Sequence, residues 1–530
     1  MRIQTFLTIA VAWPCTIHAQ QTFERLYQSG TSYSFDLIEL PGHSILTAMG
    51  ATLLLDPEGY VDHASFFHEG GTYLVQTMRA AGDNEFYFTT GLNAGSCASS
   101  NTGATLIHPV LGKMDSLGSV LALKYYDLNP GICWGIPGGL EVSEDMGAIT
   151  WGRERNFYAM KLDSEFEHVW LKKIEHQGGF QFIKELPGGD LLAGINMDTA
   201  GAVVARMDSD GNLLWCKSYI RPRGMVHDVV IEPDGSFLIS GFTDSTASTN
   251  PFIPYPPSYH PKLFMMKLNG QGEVQWCRGY DSAPNLWYLH NASRIVKTLD
   301  GKYAVLATLG YPQNNSFFRP FLMKTDMNGD TLWIRSVGAN GYDYQAQDLL
   351  AYSDGGFLFS GIVWGDMPGL NSSLNYIYKT DSLGHFTCLE KHHPLQVLDL
   401  FPADSSFVLT SVDGAATSYP VLVNDSILDP QLLLLYDACI VTNGVSTMQA
   451  RKPRIYPNPT PGRFTMEFTD PLLRDSFYSV YDATGRLLYQ RPLPTGATLE
   501  EVDFSRFGRG TYVLRVTDPE GQRHERVVVE

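Results

Sequence analysis

The chain is poor in the short signatures that announce an enzyme or a membrane protein. After residue 19 it has no apolar run of the roughly 20 residues that a membrane-spanning helix needs, so no spanning segment is expected in the mature protein. It has no zincin helix, because His68-Glu69 is not followed by a second His. It has no nucleophile elbow, because Leu46 stands where the last Gly of Gly42-His43-Ser44 would belong. Cysteine is scarce, seven in 530 residues, with no C-x-x-C and no His at ligand spacing, which argues against zinc. Positive charge is also short. The 38 Lys+Arg against 56 Asp+Glu leave a net charge of −18, and such a surface repels phosphate backbones and anionic membranes. Nucleic acid is therefore not an expected partner.

What is present points to strands and turns. Hydrophobic residues make up 44% and charged residues 18%, a balance that suits packed cores and not disorder. Aromatics at 12%, with 50 Gly and 30 Pro, favour a β-protein, and the length calls for more than one core. The first 19 residues read as a secretory signal peptide: Arg2, an apolar run from Phe6 to Trp13, then Ile17-His18-Ala19 ahead of a cleavage point. Its removal leaves Cys97, Cys133, Cys216, Cys277, Cys388 and Cys439, an even set in an oxidising compartment. Cys97 with Cys133 and Cys388 with Cys439 are the expected disulfides. Cys216 and Cys277 occupy the same place in successive repeats, beyond the ~7 Å reach of a bridge.

One hairpin recurs along the chain. "YIYKTDSLGHFTC" and "FLMKTDMNGDTLW" share a layout that returns at Asp56, Asp115, Asp163, Asp208, Asn269, Asp326 and Asp381, at spacings of 45 to 61 residues. Six of the seven have Gly three places on, the pattern of a type I turn closed by a left-handed residue; the third copy has Phe166 there. In each repeat it is the second of two hairpins and is preceded by a first, as in "EPDGSFLISG" (Glu232 to Gly241) and "YSDGGFLFSG" (Tyr352 to Gly361). Two hairpins per repeat make four short strands, which is the signature of β-propeller blades. The first hairpin is countable eight times, the last copy near Asp404, and the second seven times. Eight blades are expected over residues 21–442, with seven the alternative. "FERLY" (Phe23 to Tyr27) resembles an outer strand and would complete the last blade. A recurring W-x-[KR], at Trp215, Trp276 and Trp333, puts a Trp against the neighbouring blade and a cation on the outer edge, where it discourages pairing with other chains.

Residues 443–453 read as a linker, and beyond them the repeat stops. Residues 451–530 hold 12 Lys+Arg and 11 Asp+Glu, so the acidic excess belongs to the repeat region. About seven short strands in 454–530 fit a small Ig-like β-sandwich. "YPNPTPG" (Tyr456 to Gly462), "VYDATGRLLY" (Val480 to Tyr489), "GTYVLRV" (Gly510 to Val516) and a Val-rich final strand resemble the type A C-terminal sorting domain of type IX secretion substrates. The resemblance implies sorting positions at Pro457, Asn458, Pro459, Gly485, Gly510 and Tyr512. It also implies the type IX machinery as a partner, and passage through the periplasm to the outer-membrane surface or beyond.

No residue set names a reaction, and no cofactor or metal is expected. His392-His393 reads as a surface loop, and the calcium-like "DSDGN" and "DMNGD" read as repeated turns. Length variation is the stronger signal. The hairpin turns are short, whereas the other connections are long and carry Trp134, Tyr255, Tyr259, Trp287, Tyr288, His290, Phe317 and Phe318. Aromatics on rigidly held loops suit sugar rings or protein hot spots. The expected function is binding of an extracellular glycan or protein through that end. The alternatives are a polysaccharide-degrading enzyme using the same cleft, and a structural or adhesive surface protein.

Overall fold

The computed structural model describes residues 22–28, 36–49, 51–67, 75–82, 84–96, 105–129, 137–152, 157–176, 178–197, 201–219, 224–243, 262–282, 288–310, 318–338, 342–365, 373–386, 388, 390–391, 395–421, 425–428, 434–437, 454–468, 476–482, 487–505, 507–518 and 521–530. The expected signal peptide and linker lie outside them. Every regular element among these residues is a β-strand. No helix in them is long and apolar enough to cross a membrane. The chain divides into two compact units, Met1–Asn443 and Gly444–Glu530.

Among the described residues the first unit holds seven four-stranded antiparallel sheets. Six follow the chain, at residues 37–67, 77–129, 137–174, 178–219, 224–282 and 288–337. The seventh takes three strands from 343–380 and its fourth from Phe23–Gln28, where Leu26 stands opposite Tyr376. An apolar core lies between each pair of neighbours, and one lies between the seventh sheet and the first, joining Phe23 and Tyr27 to Leu53 and Ile377. Strands such as Phe237–Thr243 and Tyr303–Gly310 are buried along their whole length, because both faces of each sheet meet a neighbour. This closed cycle is consistent with a β-propeller, and its count is seven where the repeats favoured eight.

The hairpin turns repeat one hydrogen-bond scheme, two turns to a sheet. The opening residue donates its N–H to the carbonyl four places on, as Asp208 does to Asn212 and Tyr352 to Gly356. In the second hairpin the opening Asp also accepts with Oδ1. Asp208 takes the N–H groups of Asp210 and Asn212, and Asp326 those of Asn328 and Asp330. The carboxylates that imitate a calcium loop are thus engaged by their own backbone. The cation two places ahead of this turn reaches the acid of the same sheet's other turn: Lys161 to Asp145 at 3.1 Å, Arg206 to Asp190 at 2.7 Å, Lys324 to Asp300 at 3.1 Å, Lys379 to Asp354 at 2.6 Å. This pairing accounts for the repeated [KR]-x-[DN] in the sequence.

The Trp of W-x-[KR] packs on the turn of the next blade. A Cβ on Gly272 would stand 2.7 Å from the Trp215 ring, and one on Gly384 would stand 2.4 Å from Trp333. Gly is needed there both for its positive φ, 73° and 75°, and for its missing side chain. Tyrosines latch the same junctions: the hydroxyls of Tyr27, Tyr219 and Tyr280 donate to the carbonyls of Gly59, Gly272 and Gly329 at 2.7, 2.7 and 2.6 Å. The third turn breaks the rule in a compensated way. Phe166 takes a positive φ of 62° and is buried, stacked edge-on to Tyr87. In the preceding blade the position that holds Trp elsewhere is Ala122.

Residues 390–437 do not form an eighth blade. Their described strands lie along the outer edges of the seven sheets as a belt, adding a strand to each. Glu390–Lys391 pairs with the sixth blade, Leu395–Asp399 with the fifth and Asp404–Ser406 with the fourth. Ser411–Pro420 bridges the third and second, Asp425–Leu428 joins the first, and Leu434–Asp437 lies along Phe23–Gln28. The cations of W-x-[KR] therefore do not guard a free edge. They clasp acids of the belt: Lys217 to Asp404 at 3.1 Å, Arg335 to Glu390 at 3.0 Å, and Arg278 to Asp399. Lys172 two residues after Trp170 does the same to Asp413 at 2.6 Å.

The second unit has a three-stranded sheet (Arg454–Tyr456, Arg463–Glu467, Leu499–Asp503) and a four-stranded sheet (Leu487–Pro492, Phe477–Tyr481, Gly510–Asp518, Gly521–Val529). One core holds Phe464, Met466, Val480, Phe504, Leu514 and Val527.

Candidate functional site

A cluster of charge lies at the first strands of the blades, most of which touch the first strand of the neighbouring blade. Asp36 and Asp348 face Arg79 and Arg294. Arg79 Nη1 is 2.9 Å from Asp36 Oδ2, and Arg294 Nε is 3.6 Å from Asp348 Oδ1. Each carboxylate also caps the next blade: Leu37 N–H donates to Asp348 Oδ2 at 2.9 Å, and Met78 N–H to Asp36 Oδ2 at 2.6 Å. Asp228 does the same for Ile295, and Asn196 for Val226. Burial, and then the charge of Asp36, push the Asp348 carboxyl up, against the pull of Arg294, Arg79 and the Leu37 N–H. Burial alone would weaken the Arg79 charge, but Asp36, Asp348 and Glu141 outweigh it and hold the guanidinium above its ordinary range. These carboxylates are engaged in joining blades. Among the described residues no group of three or more His, Cys, Asp or Glu is placed to hold a metal ion.

These joints carry a signal in the sequence that the hairpin pattern does not show. Asp36, Asp228 and Asp348 each stand four places before the first turn of their repeat, at Leu40, Glu232 and Tyr352.

Of the aromatics expected to bind, Trp134, Tyr255, Tyr259, Trp287 and Phe317 lie outside the described residues. Tyr288 opens the strand Tyr288–Lys297, with His290 two places on, and Phe318 opens Phe318–Thr325. Both strands pair with Tyr303–Gly310, and Tyr288 and Phe318 stand opposite the same residue, Gly310. They therefore share one row across the sixth blade, at the end away from the hairpin turns. Phe318 is half-buried, and its N–H donates to Asp343 Oδ1 at 2.9 Å. Cys97, Cys133 and Cys439 lie outside the described residues. Cys216 and Cys277 are free and buried, and burial pushes each thiol up to about 12.

In the second unit the expected sorting residues gather at the final strand. Asn458 Oδ1 accepts from Val528 N–H at 2.9 Å, and its Nδ2 donates to Arg526 O at 2.6 Å. Thr460 continues the clasp: its N–H donates to Val528 O, and its carbonyl accepts from Glu530. Asn458 is flanked by Pro457 and Pro459, each after a cis peptide bond. Gly510 begins the strand opposite Val529, and the Tyr512 hydroxyl donates to Gly508 O at 2.6 Å. Gly485 lies outside the described residues.

Residues 454–530 match the family described as "Secretion system C-terminal sorting domain". They form a type IX sorting domain, which makes the type IX machinery a partner and directs the protein across the outer membrane to the cell surface or the extracellular space. No curated protein matches the chain. Among solved structures, a protein of unknown function from Bacteroides caccae, determined at 1.35 Å, covers 48% of this chain and 98% of its own at 13% identity, with a TM-score of 0.23. A likeness that slight carries no argument.

Proposed function

We propose that the exported blade unit is a binding module, and that it takes an extracellular glycan or protein at the end opposite its hairpin turns. The observation that carries this reading is the contrast between the two ends. At the turn end, Asp and Asn side chains are engaged by backbone N–H groups and the cations by neighbouring acids. The end with the long connections holds the aromatic row opened by Tyr288 and Phe318. Thr243 ends one strand and Lys262 begins the next at that same end, and the sequence between them carries Tyr255 and Tyr259. Flat rings presented by strand ends suit the faces of sugars and the apolar anchors of proteins.

The full-length exported protein should be tested on a glycan array and in a pull-down from extracellular protein, beside Trp287→Ala, Tyr255→Ala and the turn-end control Leu383→Ala. Retention of one ligand class, weakened about tenfold by the first two variants and not by the third, is the expected result. Equal retention by all three would reject the assignment of the end. Release of new reducing ends from a retained polysaccharide would replace binding with hydrolysis.

A further inference from the structure

We propose that the belt is a seal that keeps two free thiols, Cys216 and Cys277, reduced in an exported protein. The two stand at the same place in adjacent blades, on the outer strands Leu213–Tyr219 and Val274–Ser282. Both are free and buried. Cys216 lies in the core between the third and fourth blades, and Cys277 in the core between the fourth and fifth. The belt sets an apolar plug into each of these cores. Leu409, with Phe407 beside it, joins the one that holds Cys216, and Leu400 the one that holds Cys277.

The plugs are pinned at the cysteines themselves. Phe407 N–H donates to Cys216 O at 3.0 Å, and Leu400 N–H to Cys277 O at 2.9 Å. On the third blade Glu175 N–H donates to Thr410 O at 3.0 Å, and Thr410 N–H to His176 Nε2 at 3.3 Å, so residues 407–410 span the gap between two blades. Gly279, two residues after Cys277 and on the same face of its strand, leaves room for the other plug: a Cβ there would stand 2.9 Å from the Leu400 side chain. The belt residues beside the plugs turn outward, with Phe401 86% and Val408 81% exposed.

In the third and sixth blades the same position holds Leu171 and Ile334, so Cys serves here as a small apolar filler. Such a filler is exposed to risk in an oxidising compartment, where a thiol that reaches solvent enters disulfide exchange. Attack requires the thiolate, and burial, which pushes both thiols up to about 12, keeps it scarce while the plugs are seated. The belt strand between the two plugs is only Asp404–Ser406, exposed at all three residues. Each plug therefore opens by local unpairing and not by unfolding of a blade. The need for a seal rests on export; the seal itself does not.

The test is N-ethylmaleimide labelling of the full chain, with each labelled cysteine located by peptide mapping. In the parent protein Cys216 and Cys277 should label slowly in buffer and completely in denaturant. Leu400→Ala should speed labelling of Cys277 by about tenfold or more and leave Cys216 as it was, and Leu409→Ala should do the reverse. Phe401→Ala, next to a plug but exposed, should change neither. If Leu409→Ala does not fold, Phe407→Ala, on the same plug and half-buried, takes its place. Parent thiols that label as fast as an open peptide, or that are oxidised in the exported protein, would overturn the seal. So would an unchanged rate in both plug variants, or equal speeding of both thiols by either one, which marks opening of the whole unit.

Discussion

The two units of this protein are both antiparallel β-structures, and they treat their strand edges differently. In the blade unit the outer edge of every sheet is covered over part of its length by a strand of the belt. Four cations on those edges are clasped by belt acids. In the second unit no further strand covers the edges among the described residues. Arg454–Tyr456 and Leu499–Asp503 bound one sheet and Leu487–Pro492 bounds the other, while the last strand is held by side-chain and backbone bonds from Asn458 and Thr460. Unpaired strand edges invite other strands. A cargo unit with covered edges resists chance pairing, whereas an address that another protein must read retains surface to offer. The contrast gives a physical reason for finding the two architectures in one chain.

The sharpest way to break this comparison is to remove the address. Deleting Arg454 to Glu530 should abolish appearance at the cell surface, scored by immunoblot of surface and periplasmic fractions. It should leave the melting temperature of the blade unit within about 2 °C of the parent. A fall of many degrees would make the second unit a structural cap. Next in size is Leu26→Asp, which places a charge in the fully buried closing strand. It should cost more than about 4 kcal/mol and unfold the blade unit, seen as loss of its transition in urea. The transition of the second unit should remain. If both disappear together, the units are not independent.

A milder change addresses the sorting clasp. Asn458→Ala removes bonds to Arg526 and Val528, and should lower only the second unit's stability, by about 1–2 kcal/mol, with slower export. An unchanged urea midpoint for that unit would show that the clasp is dispensable.

The smallest effect tests the charge ring. Asp348 binds its proton more tightly folded than unfolded, with its folded titration raised to about 6. Stability from this group therefore rises as pH falls through about 6 toward about 4, where the unfolded carboxyl also protonates. Asp348→Asn should remove that slope, worth about 1 kcal/mol between pH 7 and 4.5, while its amide oxygen still accepts from Leu37. Parallel pH profiles for parent and variant would reject the assignment.

Much of the architecture was legible because it is local. A turn opened by Asp and closed by Gly is specified within five residues, and the hydrogen bonds of Asp208 and Asp326 obey that specification without help from elsewhere. The closing strand Phe23–Gln28 was recognisable because it repeats the character of the other outer strands. The end proposed to bind is legible only as a place: of its named aromatics, Tyr288 and Phe318 are brought into one row by their shared pairing with Gly310. The belt is not legible in the sequence, because Asp404 carries the turn residues of a hairpin although its strand pairs with Lys217–Tyr219 of the fourth blade.

The sequence by itself determined the hairpins, their number per repeat, the acidic cargo and the sorting tail. Each rests on contacts between residues near one another in the chain, where backbone preference decides. The tertiary structure alone decided that the count is seven, that residues 390–437 are a belt, and that Asp36, Asp228 and Asp348 join blades. Those outcomes depend on partners up to several hundred residues apart, as in Leu37 with Asp348 and Lys172 with Asp413. An outer edge selects its covering strand by unsatisfied backbone groups, which every residue carries alike, so the choice leaves almost no mark on side-chain identity.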